Sequence, residues 1–567
     1  MLDIGLDFGS TYTSVSVYKT EKKALEVFNL ASDSPYFPSV VSYYDGEFEF
    51  GDAAKSRTGK KNARLYKGFK MLLPEQELNK LKEKGYDETN TPVFISSMYI
   101  ECILRKILKE SGEEYIDNLV VGVPEIWNGG IHTLDGRGVI RDICKKFSFV
   151  RKVQVVSEPA AASAFFAYNY KIMTKKDYSG KLLLIDYGGG TLDITLTDIM
   201  PAADQKKGKG VEIKVLERTG AGENSDGEIG KAGIIYMENV VKQALSEAGY
   251  KEGIDFTYDG KFLKAVDELE RLLKTKKEDL DDEFDDNESF LLRPERMDRK
   301  FTKIEYCDDE ITITYKTLIE VYNRIIRPVF DEKLNEIFAF MDKNKICYQD
   351  PSSKDFKIAL VGGFGNFYLV EHQMKEKFKF NDFDQRRENI IKDKKDCEKA
   401  ISFGTALLSS KIIGIRNTAP YSIGLGIASD AESGEDAINY AIRYRQEIEF
   451  NKVYYPKDID GEEFPVFSAL GGFKELIINM GSSDKTALVA PVREKFRDRL
   501  SGIINNQYGT AVIGFSMDSS ETLSIHVHDY DLLENKKGPE KSVIELSSFK
   551  ELFEDLAKVK KVKKNEI

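Results

Sequence analysis

An apolar strand twice runs into an aspartate and then a turn of glycines and hydroxyls. The first copy is Asp7-Phe8-Gly9-Ser10-Thr11-Tyr12; the second is Asp186-Tyr187-Gly188-Gly189-Gly190-Thr191-Leu192-Asp193. Glycine lets backbone N–H groups approach an anion with no Cβ in the way, and the neighbouring Ser or Thr adds a hydroxyl donor. An aspartate at the strand end suits a hydrated divalent cation. A single such turn is an ordinary Asx feature. Two of them, each opening one half of the chain, predict two hairpins closing on one nucleotide triphosphate with a hydrated Mg²⁺. Asp7 and Asp186 are then the metal anchors. Gly9, Ser10, Thr11 and Tyr12 face the phosphates from one side, and Gly188, Gly189, Gly190 and Thr191 from the other. Neither G-x-x-x-x-G-K-[ST] nor G-x-G-x-x-G occurs, which excludes P-loop, Rossmann and protein-kinase phosphate sites.

The flanking periodicity says what must position these turns. Val15, Val17, Val40, Val41 and Tyr43 read as a strand meander, and residues 96–109 as a helix with Met98, Ile103, Leu104 and Leu108 on one face. A strand ending at Pro124, a helix within 137–147 and a strand before Glu158 complete a βββαβα half. The second half repeats the opening from Lys181. Residues 251–303, including the acidic run Glu278–Asp286, read as a solvated face or loop. A helix over 315–341 leads to the strand before Gly362.

The whole chain has 567 residues, too many for one core. Hydrophobic content of 41%, charged content of 31% and a mean hydropathy of −0.39 describe a globular chain with no membrane-spanning run. Five scattered cysteines, with no CxxC pair, argue against a disulfide framework or zinc site and for the cytoplasm. Four histidines argue against His-centred catalysis, and a net charge of −12 against nucleic-acid binding. Lys558, Lys560, Lys561, Lys563 and Lys564 form a local basic tail, read as a solvated terminus.

Three further segments stand in order around the two hairpins: Val153–Ala164 with Ser157-Glu158-Pro159-Ala160, Ile358–Asn366 with Gly362-Gly363-Phe364, and Ala400–Ala406. Together the five resemble the motifs of the actin-like ATPase superfamily, and more closely those of the seventy-kilodalton heat-shock chaperone family. The resemblance implies a duplicated ribonuclease-H-like α/β domain over 1–412. It implies that Lys70 touches the γ-phosphate and attacking water, that Glu158 orients metal-bound water, and that Asp193 lies near the γ-phosphate. Asp186 and Glu158 join Asp7 around the metal. Gly230, in a glycine-rich loop with Gly220, Gly222 and Gly233, approaches phosphate. Lys277 contacts ribose, and Gly362, Gly363 and Phe364 take the adenosine. Phe364 and Asn366 stand where the family carries a small hydroxyl residue and an arginine, and Lys274 where an acidic partner of Lys277 is expected.

After a linker over 413–417, residues 418–546 read as a β-rich domain, with a hairpin over 511–517 and 523–528. A short amphipathic helix over 547–562 and the basic tail follow. The resemblance implies an ATP-dependent chaperone whose partners are unfolded or extended polypeptides, a co-chaperone and a nucleotide-exchange factor, with no nucleic acid or membrane. The missing helical lid implies fast peptide exchange. A dedicated scaffold, an actin-like filament protein and a small-molecule kinase are the alternatives.

Overall fold

A computed structural model describes residues 2–31, 34–75, 78–124, 131–202, 210–221, 231–254, 260–349, 355–378, 390–391, 398–416, 418–426, 438–456, 465–467, 475–479, 486–491, 498, 502–504, 509–534, 536–546 and 560–563. Strand β1 (Asp3–Phe8) is buried along almost its whole length, with Ile4, Leu6 and Phe8 in the core, so both its faces are covered. It pairs antiparallel with β2 (Tyr12–Lys19) and parallel with β4 (Asn118–Val123). With β3 (Ala24–Val27) and β5 (Val153–Ser157) the sheet runs β3-β2-β1-β4-β5. The second half repeats this order with β6 (Gly180–Tyr187), β7 (Leu192–Pro201), β8 (Val211–Ala221), β9 (Phe356–Val361) and β10 (Ile390–Ile391), as β8-β7-β6-β9-β10. The meander divides: Val40–Tyr44 leaves the main sheet to pair with Glu47–Phe50 and Arg64–Lys67.

Helix α1 (Ile131–Lys145) precedes β5, and α2 (Glu158–Thr174) follows it. The second half contributes α3 (Gly233–Glu247), α4 (Gly260–Thr275), α5 (Lys277–Asp286) and α6 (Ala400–Ser409). Small residues let α2 and α6 cross between the sheets. A Cβ on Gly404 would lie 1.7 Å from the Ala161 carbonyl oxygen, so the helices meet backbone to backbone there.

Three expectations change. The acidic run read as a loop is α5, because Leu280 and Phe284, four residues apart, enter the core of the second half. Charge density hid that pair. Within the expected linker, Gly414–Arg416 forms β11 and pairs parallel with β8, extending the second sheet. Ile413 is buried, and Ile412 and Ile415 pack against the same core cluster. The helix expected over 547–562 falls mostly outside the described residues, but its end is strand: Lys560–Lys563 pairs with Thr486–Pro491.

Beyond β11, β12 (Ser422–Gly426), β13 (Ile438–Ile442), β14 (Pro465–Phe467), β15 (Glu475–Asn479), β16 (Thr486–Pro491), β17 (Thr510–Met517), β18 (Leu523–Asp531), β19 (Lys536–Glu545) and β20 (Lys560–Lys563) form two sheets. Their orders are β13-β12-β15-β16-β20 and β14-β17-β18-β19. Ile423 and Leu425 from one sheet share a core with Ile513, Phe515, Ile525 and Val527 from the other, which makes a sandwich.

Candidate active site

Each aspartate sits where its strand gives way to the turn. Asp7 pairs in register with Ser14, and Asp186 with Asp193, so the hairpins are structural counterparts. They face one another across a cavity of about 970 Å³ lined by Asp7, Gly9, Ser10, Thr11 and Tyr12 from the first half. Asp186, Gly188, Gly189, Gly190 and Thr191 line it from the second, and Lys70, Glu158, Lys277, Gly362, Gly363 and Phe364 complete the wall. A Cβ on Gly189 would lie 2.3 Å from Thr11 Oγ1 and one on Gly190 3.0 Å from Ser10 Oγ, so the two turns interdigitate. Gly362 has φ +81°, and a Cβ there would strike Asp186 Oδ1 at 2.5 Å. Only glycine satisfies both constraints.

Asp193 does not line the cavity. It is fully buried beside Asp186 and acts on that carboxylate through space. Gly230 and Gly222 lie outside the described residues. Gly220, next to last in β8, lies opposite Asp193, and Gly233 opens α3 at the cavity wall.

Lys70 lies in a buried turn after Arg64–Lys67, between Phe69 and Met71, and its Nζ reaches Glu158 Oε1 at 2.5 Å. Glu158 starts α2, where Ser157 caps by accepting from the Ala160 N–H, so the carboxylate is fixed at a helix N-terminus. Burial, then the Glu158 charge, push the Asp7 carboxyl up to about 7 against the opposing pull of Lys70. Burial raises Asp186 well above the usual carboxylate range, with Glu158, Asp193 and Asp7 adding to it. Three buried carboxylates thus crowd around one ammonium. A divalent cation there would relieve the repulsion, and interdigitated glycine turns leave backbone facing the space where phosphate oxygens would lie. The residues fit Mg²⁺ with a nucleotide.

Further pairs and ring contacts lie around the same cavity. Lys277 is paired with Asp281 at 2.6 Å. Lys274 pairs with Glu270 at 3.0 Å, and its Nζ lies 4.2 Å from the Tyr12 ring centroid. Glu270 also lies 3.9 Å from Lys55 of the first half. Glu270, Tyr36 and Glu398 line the cavity without having been singled out in the sequence, and Lys274, noted there only as a departure from the family pattern, lines it too. The i, i+4 spacing of Glu270 and Lys274 on the polar face of α4 was an available signal; Tyr36 and Glu398 offered none. The Phe364 ring meets Tyr187 edge-on, with centroids 5.0 Å apart, and stacks on Phe367 at 5.5 Å.

The sandwich lies against both halves. Arg141 of α1 meets Asp518 at 3.2 Å, Arg137 meets Glu521 at 3.3 Å, and the Val155 N–H donates to Ser520 Oγ. On the other half Arg445 pairs with Glu217, and Lys214 with Glu447 at 2.5 Å. Both arginines of α1 are almost fully buried by this contact.

Residues 3–283 match the family model described as Hsp70 protein. The Chaperone protein DnaK of Mycoplasmoides gallisepticum (strain R(low / passage 15 / clone 2)) is 30% identical over 198 residues, covering 35% of this chain and 31% of that protein. The Heat shock cognate 70 kDa protein 3 of Dictyostelium discoideum is 27% identical over 228 residues, covering 35% of this chain and 34% of that protein. The matches span about a third of the length of either relative. No helix among the described residues is long and apolar enough to cross a membrane.

Proposed function

We propose, from the match of residues 3–283 to the Hsp70 family model, that this chain is a chaperone-like ATPase. It binds ATP with Mg²⁺ between the two hairpins, hydrolyses it, and couples nucleotide state to the binding of extended polypeptides by the sandwich. The observation that carries the hydrolytic half is the convergence of Lys70, Glu158, Asp7 and Asp186 at one end of a nucleotide-sized cavity. Phosphoryl transfer to water asks mainly for placement and charge stabilisation. Lys70 would donate to an oxygen of the γ-phosphoryl group, and Glu158 would accept from and orient the attacking water. Asp7 and Asp186 would hold Mg²⁺, which supplies neutralisation of phosphate charge. The pairing of Lys274 with Glu270 over Tyr12 would close the cavity above the phosphates.

The coupling half rests on β11. A segment that joins the second sheet edge-on and leads toward a docked sandwich is paired here, and its release would be the second arrangement that coupling requires. Clients, a co-chaperone and an exchange factor in the cytoplasm are the partners this reading implies. ATP turnover of the full chain, with and without an unfolded peptide, tests it. Stimulation by peptide supports coupling. Turnover that peptide leaves unchanged points to a dedicated scaffold, and no turnover refutes the reading.

A further inference from the structure

The basic tail is placed in a sheet. Strand β20 pairs antiparallel with β16, with Lys560, Lys561, Val562 and Lys563 opposite Val489, Leu488, Ala487 and Thr486. Without β20, the order β13-β12-β15-β16 would leave β16 at the sheet edge. The sequence of β16, Thr-Ala-Leu-Val-Ala-Pro, carries no charge. Open edges present a row of unpaired N–H and C=O groups that can template another strand, and they are ordinarily blunted by lysines or covered. Here the charges that β16 lacks lie in the strand that covers it.

We propose that the segment around Lys560–Lys563 is an intramolecular occupant of a strand-accepting edge on the sandwich, and that extended polypeptides of similar lysine–aliphatic composition compete for the same edge. The competition rests on the peptide-binding reading above; the occupancy does not. Strand addition draws affinity from main-chain hydrogen bonds, so it accepts many sequences, and alternate side chains set the preference. The repeat Lys558-Val559-Lys560-Lys561-Val562-Lys563-Lys564 marks that preference as basic and aliphatic. A net charge of −12 over the whole chain favours such a ligand electrostatically. A tethered occupant acts at an effective concentration on the order of millimolar, so it excludes weak ligands and yields to tighter ones. The tail is then a built-in threshold on what the edge accepts.

Hydrogen exchange of residues 486–491 in the full chain tests occupancy against two variants. One ends at Ala557; the other carries Lys561→Pro and Val562→Pro, since alternate strand residues donate to the partner and one of the two prolines removes a ladder bond whichever way β20 faces. Exchange in this segment should accelerate at least about tenfold in both variants. Equal rates in all three chains would overturn the occupancy, and protection that fades on dilution would assign the strand to a second copy and overturn it as well. Fluorescence anisotropy with a labelled peptide of residues 558–564 tests competition. The shortened chain should bind it at least about tenfold more tightly than the full chain. Faster exchange without peptide binding would leave the occupancy standing and overturn the edge as a ligand site.

Discussion

Asp7→Asn should flatten the pH dependence of nucleotide binding, and the size of the effect follows from the cleft. Burial beside Glu158 pushes Asp7 up to about 7, so near neutrality the empty site holds a proton that must leave when Mg²⁺ arrives. A group titrating at about 7 is ionised in roughly one molecule in eleven at pH 6 and ten in eleven at pH 8. Mg·ADP affinity should therefore rise about tenfold over that interval from Asp7 alone, and further from Asp186, which is raised by the same causes. The stability of the empty protein has the opposite sign. A carboxyl whose folded pKa is raised contributes stability that is fully present below about 4 and is lost as pH rises through about 7. Calorimetric titration in two buffers of different ionisation enthalpy reads the proton release directly. In the Asp7→Asn chain the release at pH 6 should fall by about one proton, with Asp186 keeping its share. A flat affinity between pH 6 and 8 in the unaltered chain, or an unchanged release in the variant, would refute the account of the cleft.

Lys70→Ala should lower ATP turnover by about 100-fold or more with little loss of ATP affinity, because charge on the γ-phosphoryl group develops during transfer. Single-turnover hydrolysis beside equilibrium binding separates the two. Ile413→Ser should weaken the hold of β11 on the second sheet; peptide affinity measured by anisotropy should then respond equally to ATP and ADP, while each ligand still binds. Arg141→Glu should release the sandwich from α1, expanding the particle in X-ray scattering, and Asp518→Arg in the same chain should restore the compact form. Phe284→Ala should destabilise the second half by about 3–5 kcal/mol in urea unfolding, because it empties a fully buried ring site.

The hairpins were legible because backbone chemistry dictates local sequence. A turn whose N–H groups face an anion must be glycine-rich, and Gly362 must tolerate a positive φ, whatever surrounds them. Repeating the Asp-to-glycine pattern in each half foretold the duplicated sheet order, since the same strand–turn–strand unit buries its apolar strands in the same way. Lys70 and Glu158 were readable only through family likeness. They are 88 positions apart, and nothing in either segment encodes the 2.5 Å contact that their folds create. Glu270 and Lys274 announce themselves only as an i, i+4 pair on one helix, and Tyr36 and Glu398 reach the cavity because separate elements fold around the same space, a convergence with no local signature. Charge misled the reading of α5, where two apolar residues four apart decide burial within an acidic run. Strands β11 and β20 were hidden for a different reason. A short strand at a sheet edge takes its conformation from the partner that supplies its hydrogen bonds, and that partner, β8 or β16, lies far away in the chain. The sequence by itself determined which residues could meet a phosphate; only the tertiary structure decided which carboxylates gather beside them and which edges the chain closes with its own segments.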